Sequence, residues 1–235
     1  MASSLSEHFR NVLADTRPAL AFDSAKPLEP QRKAAAEVFG KLLRMPEKKT
    51  DPVPVVEYVQ EHETYTETRF TFESEPGFLI PCHLLVPKHV SGKLPTVICL
   101  QGHSTGMHIS LGRPKFEGDA ESIAGDRDFA LQAVARGYAA VAMEQRGFGE
   151  LKTDIHVGCT HPAMQALLLG RTLLCERVFD VSQLINALSA FPLLDLDRLG
   201  IMGNSGGGTT SYHAACVEPR IRFVMPSCSF NTYGA

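Results

Sequence analysis

The spacing of apolar residues changes twice along the chain. From Leu5 to Leu13, and again from Gln31 to Leu43, they recur at three and four residues, as in Ala36, Phe39, Leu42 and Leu43. Lys33, Lys41 and Arg44 face elsewhere, so two amphipathic helices are predicted. Pro27 and Pro30 precede the second, and Pro46 with the 48–51 stretch ends it. These helices form an extension over 1–52, read either as a solvated arm or as a cap on the main domain or on another subunit. From Val53 to Val86 the period is two. Val56, Tyr58 and Gln60 alternate with Glu57, Val59 and Glu61, the 65–73 stretch alternates Thr and Glu with aromatic residues, and Phe78 to Val86 follows a Pro76-Gly77 turn. Three antiparallel strands are expected there. After Gly92 short continuous apolar runs appear at Thr96 to Leu100, Ala139 to Met143, Leu199 to Met202 and Ile221 to Met225. Helices are expected between them at Glu121 to Arg136, Pro162 to Phe191 and Gly206 to Val217. Strands of this kind alternating with helices predict an α/β fold, a mostly parallel sheet covered on both faces.

Composition narrows the function. With 44% hydrophobic and 21% charged residues the chain buries a core, which excludes disorder for most of it. The 23 Lys and Arg against 26 Asp and Glu leave a net charge of −3 and no basic stripe, so nucleic acid is not an expected partner. No apolar run reaches the roughly eighteen residues of a membrane helix, and the amino terminus lacks a secretory signal pattern. A soluble, cytoplasmic protein without a membrane partner is expected. Six cysteines are scattered without Cys-x-x-Cys pairs, which argues against a disulfide framework.

The sharpest motif is Gly203-Asn204-Ser205-Gly206-Gly207, placed between an apolar run and a predicted helix. A strand turning sharply into a helix strains its middle residue, and only glycine relieves the crowding two positions to either side. Ser205 would project its hydroxyl above the sheet edge, with the Gly206 N–H pointing into the same space from a helix start. The glycine run to Gly208 is not a phosphate loop, because Thr209 and Thr210 stand where Lys is needed. After Leu100, Gln101-Gly102-His103-Ser104 ends a buried strand. Acyl transfer needs two N–H donors on the developing oxyanion. Gly206 offers one and His103 is the candidate for the other, with Gly102 letting the backbone approach. The His103 ring is read as a turn residue bonding locally. Arg146-Gly147-Phe148-Gly149 follows another strand end, where open α/β sheets bind ligands, and Arg146 with Asn204 is assigned to supporting the loops. His156, Cys159 and His161 lie in a loop whose spacing does not suit zinc, so a lining or lid role is expected and no metal.

These features together resemble the α/β-hydrolase superfamily, from about Val56 to Phe230. The amino-terminal helices, the Gln101-Gly102-His103 turn, the Arg146-Gly147-Phe148-Gly149 loop and the helical stretch from Gln165 to Ala190 resemble its bacterial acetyl xylan esterase and dienelactone hydrolase group. The resemblance implies an α/β-hydrolase core over 53–235 and a carboxylic ester hydrolase acting on a small-molecule ester. It further implies a serine nucleophile, an acyl-enzyme intermediate and no cofactor. In that superfamily an acid and then a His follow the serine. Here Glu218 and His213 are the residues of those types after Ser205, both in or just after the next helix. His213 would stand roughly 12 Å along the helix from Ser205, too far to take its proton. The acid and His are therefore expected beyond Ala235, the core is read as truncated after its sixth core strand, and Ile221 to Met225 becomes an open edge that invites a homo-oligomer. Two rivals stay open: a hydrolase-like binding or assembly module that no longer catalyses, and a serine peptidase on short peptides.

Overall fold

The computed structural model of the protein describes residues 4–46, 50–152 and 158–230. The chain divides between Leu42 and Leu43 into two compact units. In the first, α1 (Leu5–Asp15) starts where Ser4 Oγ accepts the Glu7 N–H at 3.2 Å, satisfying one donor of the first turn. None of its residues is buried. The linker into α2 (Leu28–Leu43) is tied down by Gln31, whose side chain accepts the Asp23 N–H at 2.8 Å and donates to Asp23 O at 3.0 Å.

The second unit holds one seven-stranded sheet. Its strands are β1 (Val55–Glu61), β2 (Tyr65–Glu75), β3 (Phe78–Pro87), β4 (Leu94–Leu100), β5 (Ala139–Met143), β6 (Leu194–Asn204) and β7 (Ile221–Ser227). Its helices are α3 (Asp119–Ser122), α4 (Phe129–Ala135), α5 (Thr160–Leu168), α6 (Leu173–Leu188) and α7 (Gly206–Val217). The spatial order is β1-β2-β3-β5-β4-β6-β7. Pairings from β1 through β3 to β5 are antiparallel, and those joining β5, β4, β6 and β7 are parallel. All strands except β1 and β3 therefore run the same way. Cys99, Val97, Ala140 and Ala142 form a buried cluster with Ala130, Ala133 and Val134 of α4. The alternate residues Ile98, Leu100, Val141 and Met143 are equally buried and point to the other face, where α6 and α7 pack together against β2, β4 and β6.

Several elements depart from the apolar pattern. The helix expected over Glu121 to Arg136 breaks at 123–128, where Asp126 takes φ 60°. The Arg127 carbonyl there accepts from Gln101 Nε2 at 2.6 Å rather than from a helical N–H. The helix expected over Pro162 to Phe191 is two helices. Gly170, at φ 71°, ends α5 with its N–H on Leu167 O while the Arg171 N–H reaches Ala166 O, and Thr172 Oγ1 then caps α6 by accepting from Cys175 N at 3.0 Å. The alternation in β1 buries neither face: all seven residues are exposed, because the strand lies at the sheet's edge. At the opposite edge β7 leaves Phe223 and Met225 exposed, although its apolar run resembles a strand buried on both faces.

Candidate active site

Ser205 occupies the bend between β6 and α7 with φ 49° and ψ −116°, a conformation that side-chain-bearing residues avoid. Its N–H donates to Ser227 O at 2.8 Å, and its carbonyl accepts from Thr209 N at 2.9 Å as the first turn of α7. The bend closes because two glycines sit where backbone meets backbone. A Cβ on Gly203 would lie 2.4 Å from the Gly207 carbonyl, and one on Gly207 would lie 2.3 Å from Leu100 O. Ser205 itself is half-buried at the carboxyl end of the parallel strands. Gly206 follows at the first position of α7, where an N–H has no intrahelical acceptor.

The loop after β4 is pressed against this bend. A Cβ on Gly102 would come within 2.5 Å of Asn204 O and 2.9 Å of Ser205 Cβ, and one on Gly206 would meet the His103 ring at 3.2 Å. Gly102, His103, Asn204, Ser205 and Gly206 are thus brought to one place. The exposed His103 ring stands edge-on to Phe148, 5.0 Å between centroids, and its Nε2 lies 3.0 Å from Cys159 Sγ. That partner comes from a distant loop, so the ring is not the locally bonded turn residue that the sequence pattern suggests. Burial, helped by the nearby Arg177 charge, lowers its pKa, which favours the neutral ring.

Arg146 lies beneath the loops. Its Nε and Nη2 donate to Asp180 at 2.8 and 2.7 Å, it pairs with Glu75 at 2.8 Å, and its guanidinium covers the Phe78 ring at 4.4 Å. Its carbonyl accepts from Arg177 Nε at 2.9 Å. His213 does not reach toward Ser205 either. It is buried within α7 and its Nδ1 donates to Thr209 O at 2.7 Å. Of the 156, 159 and 161 positions, His156 lies outside the described residues, and Cys159 is turned to His103 and Arg177. Among the described residues no three His, Cys, Asp or Glu side chains are grouped to hold a metal.

Glu144 is a site residue that apolar periodicity missed. Nearly fully buried, it accepts N–H groups of Met107 at 3.1 Å and Glu150 at 3.2 Å, joining the loops that follow β4 and β5. Burial pushes its carboxyl up to about 7 against the pull of those donors. The available signal is a carboxylate placed directly after a fully apolar strand. Gln145 extends the same link, accepting from Thr210 Oγ1 of α7 at 2.7 Å. Two cavities flank His103. One, of about 380 Å³, reaches Gly206, Thr209, Cys159, Arg177 and Leu167. The other, of about 440 Å³, is walled by Ser104, Phe116, Phe148 and Lys152. No helix among the described residues is long and apolar enough to cross a membrane.

A mixed sheet covered on both faces, with a Gly-x-Ser-x-Gly bend between a parallel strand and its helix, defines a protein of the α/β-hydrolase type. The chain belongs to the acetyl xylan esterase (AXE1) family, whose model matches residues 37–232. It is 22% identical to the Bacillus subtilis protein YtaP over 193 residues, 82% of this chain and 62% of that one. Among solved structures it shares its fold with Bacteroides fragilis BF1801, provisionally classed as an acetyl xylan esterase. There the TM-score is 0.82 at 19% identity, covering 95% of this chain and 60% of that one. Acetyl xylan esterase 1 of a Thermoanaerobacterium species gives a TM-score of 0.61 at 24% identity, covering 87% and 63%. The chain thus spans about three fifths of the length of the relatives it matches.

Proposed function

We propose that this chain carries the nucleophile of a carboxylic ester hydrolase that cleaves small acetyl esters through a serine acyl-enzyme. The observation that carries the reading is the left-handed Ser205 at φ 49°, set between the Gly102 loop and the first N–H of α7. In this scheme Ser205 Oγ attacks the ester carbonyl, and the N–H groups of Gly206 and His103 receive the charge that develops on its oxygen. Asn204 and Gly102 keep the two backbones at contact distance, and Arg146 holds the loop behind them. Among the described residues His213 Nδ1 is bonded to Thr209 O and His103 Nε2 stands against Cys159 Sγ, so neither is assigned as the general base. Family membership supports the ester bond, and the apolar side of the 380 Å³ cavity supports a small acyl group.

That no general base is assigned among the described residues favours a second reading, a hydrolase-like module that binds without catalysing. A fluorophosphonate probe separates the two, because a serine activated by a base is labelled and a bystander is not. In the full-length protein, labelling at Ser205, with turnover of an aryl acetate lost in Ser205→Ala, is the expected result. Unchanged turnover in that variant overturns the ester hydrolase reading. A peptidase would instead cleave the amide of equal acyl size as readily as the ester.

A further inference from the structure

Cys159 stands apart from the other thiols of the chain. Cys82, Cys99 and Cys175 are buried, and burial pushes the Cys99 thiol up to about 12, which keeps it inert. Cys216 and Cys228 are exposed. Cys159 is half-buried on the wall of the 380 Å³ cavity, at the amino-terminal cap of α5. Its Sγ lies 3.0 Å from His103 Nε2 and 3.2 Å from Arg177 Nη2. A nucleophile within hydrogen-bond reach of a base is the arrangement by which a thiol is activated.

Arg177 gives the arrangement its direction. The residue is only 6% exposed. It donates to Arg146 O, lies over the Phe148 ring at 4.1 Å and turns Nη2 to the sulfur. Its Nη2 is thereby placed as a charged hydrogen-bond donor to the sulfur. Burial also lowers the pKa of the His103 ring, leaving it free to accept a proton at neutral pH. The cavity beyond the sulfur is lined by Ala163, Leu167, Leu173 and Leu174, which suits an apolar reactant.

We infer that Cys159 is a second nucleophile of this protein, a site at which small apolar α,β-unsaturated carbonyl compounds are captured covalently. The thiol proton passes to His103 Nε2 as the sulfur attacks the β-carbon. The C–S bond forms while the electron pair of the carbon–carbon double bond moves to the α-carbon, stabilised as the enolate. His103 then returns the proton to the α-carbon, so the addition is balanced with no leaving group and no oxidant. The adduct fills the space between Cys159 and Gly206.

The test is competition for substoichiometric N-ethylmaleimide on the native protein at neutral pH, read by peptide mass mapping. Cys159 is expected to take the adduct about ten-fold faster than the more exposed Cys216 and Cys228, a modest share of the gain that a positioned base gives. Replacing the exposed imidazole in His103→Gln is expected to remove that preference, and Cys159→Ser to remove the fast-labelled peptide. A Cys159 share at or below those of Cys216 and Cys228 overturns the inference, as does a preference that survives His103→Gln unchanged. The readout requires no hydrolysis, so its failure and the failure of the ester hydrolase reading are separate results.

Discussion

The backbone N–H of Ser205 donates to the carbonyl of Ser227 at 2.8 Å, tying the bend after β6 to the end of β7. This bond helps hold a serine at φ 49°, and the glycines around it leave the space that the bend needs. Gly203→Ala places a methyl 2.4 Å from backbone atoms of Gly207, which no side-chain adjustment relieves. A loss of about 3 kcal/mol in unfolding free energy is expected by denaturant titration. Gly125→Ala, where nothing lies within 4 Å, serves as the control and is expected to change stability by under about 0.5 kcal/mol.

Gly102→Ala tests function more than folding. Its methyl meets Asn204 O and Ser205 Cβ, so the loop must back away from Ser205. Turnover of an aryl acetate is expected to fall by about 10²-fold, the usual effect of a small misplacement of reacting groups. Equal turnover in the variant and the parent would show that the loop after β4 does not shape the reaction.

Arg146 faces three acids, Asp180, Glu75 and Glu176, in a largely buried cluster. Removing the cation in Arg146→Met leaves those charges uncompensated, and a loss of about 3–5 kcal/mol is expected from chemical denaturation. Adding Asp180→Asn should restore part of it, since the second change removes a charge that the first has stranded. Strict additivity of the two losses would contradict the coupling.

Asp119 predicts a pH dependence. Burial alone would raise its pKa, but the Thr105 hydroxyl, the N–H groups of Lys115 and Phe116, and His108 together hold the carboxyl well below the usual range. On acidification the unfolded chain takes up this proton first, so stability present above about pH 4 is lost as the pH falls toward the lowered value. Asp119→Asn should be less stable by about 3 kcal/mol at neutral pH and should lose less on acidification. Parallel stability curves for the two proteins below about pH 4 would refute the assignment.

Much of the sheet was legible because its strands are either alternating or continuously apolar, and α7 begins and ends where its pattern does, at Gly206 and Val217. The bend at Ser205 was legible because the crowding at Gly203 comes from backbone only a few residues on, at Gly207 and Gly208. The breaks at 123–128 and 169–172 were not read from periodicity, which reports buried faces and continues across a kink. Gly170 and Thr172 were the local signals for the second break. Glu144 and the His103–Cys159 pair escaped for a different reason: their partners come from loops far along the chain, and no spacing rule connects them.

The order in which the chain is made adds a consequence to the Ser205–Ser227 bond. A nascent chain exposes Ser205 before Ser227 exists, and nothing yet compels the serine to leave ordinary backbone angles. Until β7 docks alongside β6, that hydroxyl belongs to a relaxed, unremarkable segment. On the proposed serine mechanism, the bend at Ser205 is then complete only once the growing polypeptide has laid down β7.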